Sequence, residues 1–140
     1  MKAIITADSE TLDKRILTFL TGISGLEIVA SVKNVQEAFI FIKEYEPDIL
    51  IISPRYLTSS AFDTLRDIRI YNEKLIVIVL TENTLVEYSK MWEAAGVNFI
   101  FDQTMQFNQM IELLCSLLYT KQYNAILAEN DLNREHQNHF

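Results

Sequence analysis

The chain has 140 residues, which is enough for one domain that buries its own core. Apolar residues make up 49% and charged residues 22%, proportions that argue against disorder and against a disulfide-dense scaffold. Twelve Lys and Arg against 19 Asp and Glu give a net charge of −7, so the chain as a whole has no electrostatic attraction to nucleic acid or to an anionic membrane.

Apolar periodicity predicts five strands, at residues 3–7, 26–32, 48–53, 75–80 and 97–101. Residues at helical spacing follow each strand, and the pairs Asn34 with Glu37 and Thr84 with Glu87 have the spacing of helix caps. The third strand is an unbroken apolar run, which indicates burial on both faces. Five strands that alternate with five helices predict an α/β fold with a parallel sheet covered on both sides.

The fifth helix begins near Phe107, and the character of the sequence changes at about residue 120. Residues 120–140 are mostly polar, and Tyr123, Ile126, Leu127 and Leu132 are large apolar side chains among them. Two interpretations are open: the helix continues to about Leu132 as a projecting arm, or the segment is a frayed tail. We therefore divide the chain into a domain at 1–119 and a helical extension or tail at 120–140.

Cysteine and histidine usage excludes several kinds of site. Cys115, the single cysteine, lies in the apolar run 113–118 and is predicted to be a buried small hydrophobe. Both histidines, His136 and His139, are in the polar C-terminal end, so neither a Cys-His nucleophile nor a zinc site is indicated. The first residues do not have the pattern of a signal peptide, and no apolar segment approaches the ~20 residues that span a bilayer. We expect a cytoplasmic protein.

In an open parallel sheet, ligands bind beyond the carboxyl ends of the strands. The residues at those ends are therefore the candidates for chemistry. They are Asp8, Ser9, Glu10, Ser53, Arg55, Thr81, Glu82, Asp102 and Gln103.

Seven short stretches, in this order and at this spacing, carry a family resemblance. They are residues 4–8 (IITAD), 26–29 (LEIV), 34–38 (NVQEA), 47–52 (PDILII), 65–69 (LRDIR), 76–81 (IVIVLT) and 94–97 (AAGV). Over about residues 2–119 the chain resembles the receiver domains of two-component response regulators, and most closely receivers that precede a LuxR-type DNA-binding domain. The resemblance implies a CheY-like (flavodoxin-like) fold, with five parallel strands in the order 2-1-3-4-5 and helices on both faces.

Receivers of this family take a phosphoryl group from a partner kinase onto an aspartate at the end of the third strand. Here the phosphoacceptor position is Ser53. The acidic pair that helps to hold magnesium is Asp8-Ser9, so its second acid is missing, although Glu10 follows.

The other conserved positions of the family are partly kept. The hydroxyl that contacts the phosphoryl group is present as Thr81, but the lysine position is Gln103. The aromatic residue that couples phosphorylation to the output face aligns with Ile100. A serine hydroxyl is a weak nucleophile without an adjacent base, and magnesium prefers carboxylate ligands. We therefore expect a degenerate phosphorylation site, with no enzyme activity, no cofactor and no metal.

Arg55 stands two residues after the acceptor position and has two interpretations. Its guanidinium pairs with Asp8 or Glu82 and fills the pocket with a fixed positive charge, or it is a solvated loop arginine. Phosphate acceptance by Asp8 or Asp48 is a residual possibility.

The resemblance leaves three candidate functions. The first is a pseudo-receiver that signals by phosphorylation-independent protein contacts and forms a homodimer. Its interface would lie on helix four, strand five and helix five, where the candidates are Tyr88, Met91, Trp92, Ile100 and Met110. For Trp92, packing in the core is the competing interpretation. The second is the receiver part of a longer transcriptional regulator, in which the segment after 119 takes the place of an interdomain linker. No helix-turn-helix pattern is present, so we expect no direct DNA binding by these residues. The third is a small-ligand module on a flavodoxin-like fold, although no Gly-rich phosphate loop follows the first strand.

Overall fold

The structure of the protein, a computed structural model, describes residues 1–7, 13–53, 59–82 and 86–138. Strands and helices alternate along the chain. Each predicted strand is present, with ends within two residues of the predicted ones. The elements are β1 (Lys2–Ala7), α1 (Asp13–Thr21), β2 (Glu27–Val32), α2 (Val35–Tyr45), β3 (Ile49–Ser53), α3 (Ser59–Tyr71), β4 (Ile76–Thr81), α4 (Val86–Ala94), β5 (Phe99–Asp102) and α5 (Phe107–Asn138).

The five strands form one parallel sheet in the order β2-β1-β3-β4-β5. This confirms the predicted fold class and strand order. The register places Ala7 of β1 beside Ser53 of β3, and Thr81 of β4 beside Asp102 of β5. The carboxyl ends of the strands therefore meet at one edge of the sheet.

Two hydrophobic cores lie on opposite faces of the sheet. All five residues of β3 are buried, with Leu50 and Ile52 in the core beneath α2, α3 and α4. Ile49 and Ile51 point into the other core, which α1 and α5 cover. The alternation follows from the pleat of a strand, and burial on both faces explains why β3 has no polar residue before its end.

Helix α5 is one continuous helix of 32 residues, about 48 Å long at a rise of about 1.5 Å per residue. Its core-facing residues Met110, Leu114 and Leu118 are spaced four apart, and residues 119–130 are all exposed. The segment after 119 is thus helical as far as Asn138, while the division of the chain at residue 119 stays a prediction. Across the described part of the chain, no helix combines the length and the apolar character needed to cross a bilayer.

The prediction that Cys115 is buried is wrong, because its side chain is exposed. Leu114 occupies the core-facing position of this turn. Cys115 is the next residue and is rotated by about 100° around a helix of 3.6 residues per turn. A run of mostly apolar residues does not show which side of a helix faces the core. The apolar neighbours of Cys115 therefore do not establish that its own side chain is buried.

Candidate functional site

The carboxyl edge of the sheet has two buried hydroxyl residues at its centre. Ser53 ends β3 and is 7% exposed, and Thr81 ends β4 and is 4% exposed. β3 lies between β1 and β4, so the predicted acceptor position is the central one of this edge. Both side chains are neutral.

Gln103, the position of the family lysine, follows β5 directly and is half-buried. Its backbone N–H donates to the carbonyl oxygen of Thr81 at 2.9 Å. The structure therefore places Gln103 and Thr81 together at this edge, as the sequence predicted for the carboxyl ends of neighbouring strands. Gln103 contributes a neutral amide where the family lysine contributes a positively charged ammonium group.

Asp102, the acidic candidate at the end of β5, makes hydrogen bonds within the following turn. Its Oδ1 accepts the backbone N–H groups of Thr104 and Met105, at 2.9 and 2.7 Å. Its own N–H donates to Oε1 of Gln106 at 2.8 Å. The side chain thus shapes the turn that leads into α5, a role that the Asp-x-Thr spacing makes common in turns.

Four predicted site residues, Asp8, Ser9, Glu10 and Arg55, lie outside the described residues, as does the predicted cap Thr84. The remnant acidic pocket and the role of Arg55 therefore stay predictions. Glu82 is described and is exposed.

Magnesium fits poorly to the described part of this edge. Ser53, Thr81 and Gln103 offer only neutral oxygens, whereas magnesium favours carboxylates. Of the two described carboxylates at this edge, Asp102 is engaged in the turn before α5 and Glu82 is exposed. Within the described ranges, no group of three or more His, Cys, Asp or Glu is close enough to hold a metal ion. A dianionic phosphoryl group is also disfavoured, because the position of the family lysine carries the neutral amide of Gln103.

Asp48 lies at the opposite edge, at the amino end of β3. Its Oδ2 accepts the backbone N–H of Lys2 at 2.9 Å and lies 3.4 Å from Nζ of Lys121. The carboxylate connects β1 and α5 to the start of β3. These contacts indicate a structural residue and weigh against the residual phosphoacceptor hypothesis for Asp48.

The surface formed by α4 and β5 differs from the predicted interface in two residues. Trp92 is 1% exposed and packs on Phe62, with ring centroids 4.6 Å apart, and Met110 is fully buried. Neither side chain is available to a partner, so the prediction that Trp92 and Met110 belong to the interface is wrong. The phase of α4 is the reason, since it turns Trp92 into the core and Met91 to solvent.

Three of the predicted interface residues keep accessible surface. Met91 is 45% exposed, and Tyr88 and Ile100 are half-buried. A cavity of about 320 Å³ opens beside them, a size at the lower end of small-ligand pockets. Of its lining residues, only Ile100 was predicted from the sequence as part of a site, because no motif connects α4 to the start of α5. The lining is Ser89, Glu93, Val97, Asn98, Ile100 and Gln106.

No protein-family model and no curated protein matches the chain. Solved structures do match. A LuxR-family DNA-binding response regulator from Staphylococcus aureus is 20% identical with a TM-score of 0.71, over 84% of this chain and 98% of that chain. A LuxR-family two-component response regulator from Aurantimonas sp. is 14% identical with a TM-score of 0.74, over 85% of each chain. The receiver domain of the putative response regulator NarL from Mycobacterium tuberculosis is 11% identical with a TM-score of 0.72, over 84% and 95%.

These likenesses define the class of fold. The chain has the CheY-like fold of response-regulator receiver domains, and the resemblance drawn from the sequence is confirmed at that level.

Proposed function

We propose that the protein is a pseudo-receiver: a signalling module that acts through protein contacts and is not switched by aspartyl phosphorylation. The observation that carries the proposal is Ser53, a buried neutral hydroxyl at the end of the central strand β3. In the receiver fold, this position carries the phosphoaccepting aspartate.

The chemistry of the edge supports the proposal. An aspartate attacks as an anion, whereas the Ser53 hydroxyl needs a base to remove its proton. Thr81 supplies one hydroxyl for a phosphoryl oxygen, but Gln103 brings no positive charge to offset the developing negative charge. Each of the two changes, at 53 and at 103, weakens the transfer step on its own.

A protein is the expected partner, and a second copy of this chain is the first candidate. The accessible residues Tyr88, Met91 and Ile100 form an apolar part of the α4–β5 surface. Methionine and tyrosine are adaptable contact residues that are common in interfaces. We infer no enzyme activity, no direct binding of nucleic acid and a place in the cytoplasm.

The test is intact mass after incubation with acetyl phosphate and magnesium, for the wild type beside Ser53→Asp. We expect no added phosphate on the wild type. Phosphate on Ser53→Asp alone would show that only the acceptor has been lost. A hydroxylamine-labile phosphate on the wild type would overturn the proposal, and its loss in Asp8→Asn would identify Asp8 as the acceptor.

A second candidate function is the receiver part of a longer transcriptional regulator. Two observations favour it: the similar structure from Staphylococcus aureus is a DNA-binding response regulator, and α5 continues well past the domain, in the place of an interdomain linker. The small-ligand alternative rests on the α4–β5 cavity. Native mass spectrometry of the purified protein would reveal a retained ligand.

A further inference from the structure

The part of α5 that extends past the domain has an uncovered apolar side. Tyr119, Tyr123, Ile126 and Leu127 are 69%, 51%, 56% and 42% exposed. At 100° per residue they share one side of the helix, roughly opposite the side that carries Leu114 and Leu118 into the core. Lys121, which contacts Asp48 at 3.4 Å, lies on the core side. The four apolar residues, which we call the arm seam, therefore point away from the domain.

The spacing of residues on this side of the helix is that of a coiled coil. Three residues of the arm seam, Tyr119, Tyr123 and Ile126, and the polar Asn130 follow one another at intervals of four, three and four residues. Such intervals define the alternating a and d positions of a heptad, with Tyr123 and Asn130 at a and Ile126 at d. Leu127 occupies the adjoining e position and widens the apolar strip.

We propose that two copies of this chain pair through the arm seam as a short, parallel, in-register coiled coil. This inference rests on the proposed function, in which the chain acts through protein contacts, and it assigns the contact surface. It also adds a surface separate from the α4–β5 residues described above.

The charges of the arm permit the approach of a second copy. Only Lys121 and Glu129 are charged among residues 113–130, so two arm seams meet without like-charge repulsion despite the net charge of −7.

Asn130 points to the parallel arrangement. An asparagine at one a position favours a parallel, in-register pair, because it then meets its equivalent in the partner and not an apolar side chain. An antiparallel pair loses this match.

The area of the seam implies a weak, reversible dimer. Four large side chains at these exposures offer on the order of 100 Å² each, so two copies bury about 800 Å² of apolar surface. That value is below the 1,200 Å² or so of a standard stable interface. We expect dimerisation that depends on protein concentration.

The first measurement is sedimentation velocity over a range of concentrations. The wild type is expected to shift from the mass of one chain toward twice that mass. Ile126→Glu places like charges in the seam and should abolish the shift. Ala128→Glu adds the same charge on the opposite side of the exposed helix and should leave the shift unchanged.

The second measurement is disulfide trapping in a Cys115→Ser background, which removes the only native thiol. Asn130→Cys places thiols at facing a positions, and Asn124→Cys places them at the outer b position. Both replace an exposed asparagine of the same helix. We expect Asn130→Cys to crosslink about tenfold faster or more under mild oxidation.

The outcomes separate the two proposals. If the wild type dimerises but Ile126→Glu does too, or the two cysteine variants crosslink at equal rates, arm pairing is overturned and self-association through another surface stands. If the wild type stays monomeric at every concentration, both arm pairing and a second copy as partner are overturned. The intact-mass experiment judges phosphorylation independence separately.

Discussion

The guanidinium of Arg69 donates to Oδ1 of Asn98 at 2.8 Å, and the same oxygen accepts the backbone N–H of Val77 at 2.8 Å. This arrangement joins the end of α3 to the starts of β4 and β5. The guanidinium also donates to four backbone carbonyls, those of Asn72, Glu73, Leu75 and Gly96. Partial burial lowers the pKa of Arg69, but a guanidinium stays protonated at neutral pH.

We expect Arg69→Met to lower the free energy of unfolding by about 2–4 kcal/mol, because several carbonyl oxygens lose this donor and the Asn98 amide oxygen keeps only the N–H of Val77. Urea denaturation would measure the loss. Arg66→Met is the matched control, since Arg66 pairs with Asp63 on an exposed surface and should cost less than about 1 kcal/mol. Equal losses in the two variants would contradict a structural role for the Arg69 contacts.

The start of α2 offers a second test. Oδ1 of Asn34 accepts the N–H of Glu37 at 2.8 Å, and Oε2 of Glu37 accepts the N–H of Lys33 at 3.1 Å. We expect Asn34→Ala to cost about 1 kcal/mol of unfolding free energy, because an orphan donor of the first turn loses its acceptor. Thermal or urea unfolding checks it. Asn34→Asp keeps the acceptor and should be within about 0.5 kcal/mol of the wild type; a loss as large as that of Asn34→Ala would argue against capping.

The cap at Asn34 illustrates what the sequence predicts well. Capping depends on residues three apart in the chain, and the predicted pair is the pair that the structure shows. The buried run of β3 was equally clear, because a strand covered on both faces has no polar position before its end. Local patterns of this kind defined the fold class. Ser53 and Thr81 were predicted at one edge because the carboxyl ends of parallel strands meet there. The strand order came from the family resemblance.

Helix phase was not predictable in the same way. Met91 and Trp92 are adjacent, and tertiary packing, which includes the contact with Phe62, brings Trp92 into the core. The prediction that Cys115 is buried was wrong for the same reason, because a run of apolar residues does not show which of them face the core. The α4–β5 cavity brings together residues from Ser89 to Gln106, and Arg69 contacts Gly96 and Asn98, 27 and 29 positions away. A single sequence carries no local signal for such contacts.

Trp92 provides a third test, since its buried Nε1–H has no hydrogen-bond partner among the described residues. We expect Trp92→Ala to lower the unfolding free energy by about 3–5 kcal/mol through the cavity it leaves. Trp92→Phe should cost far less, within about 1.5 kcal/mol, because the lost contact area is offset by removal of an unpaired donor. Urea denaturation followed by circular dichroism measures both without relying on the only tryptophan. Equal losses in Trp92→Ala and Trp92→Phe would mean that a hydrogen bond of the indole N–H contributes more to the unfolding free energy than the packing of the ring.

Magnesium should have little effect on the wild type. Ser53, Thr81 and Gln103 present only neutral atoms at the carboxyl edge of the sheet, so binding there should be weak. We expect about 10 mM MgCl2 to shift the Tm no more than NaCl of equal ionic strength. For Ser53→Asp, a dissociation constant of about 1 mM would add about 1.4 kcal/mol at that concentration, or roughly 3–6 °C in Tm. Differential scanning calorimetry with EDTA reversal measures the shift. An EDTA-reversible increase in the Tm of the wild type would show that acids outside this set, such as Asp8 and Glu10, suffice to hold the ion. The degenerate site would then retain the magnesium binding of a receiver without its phosphoacceptor.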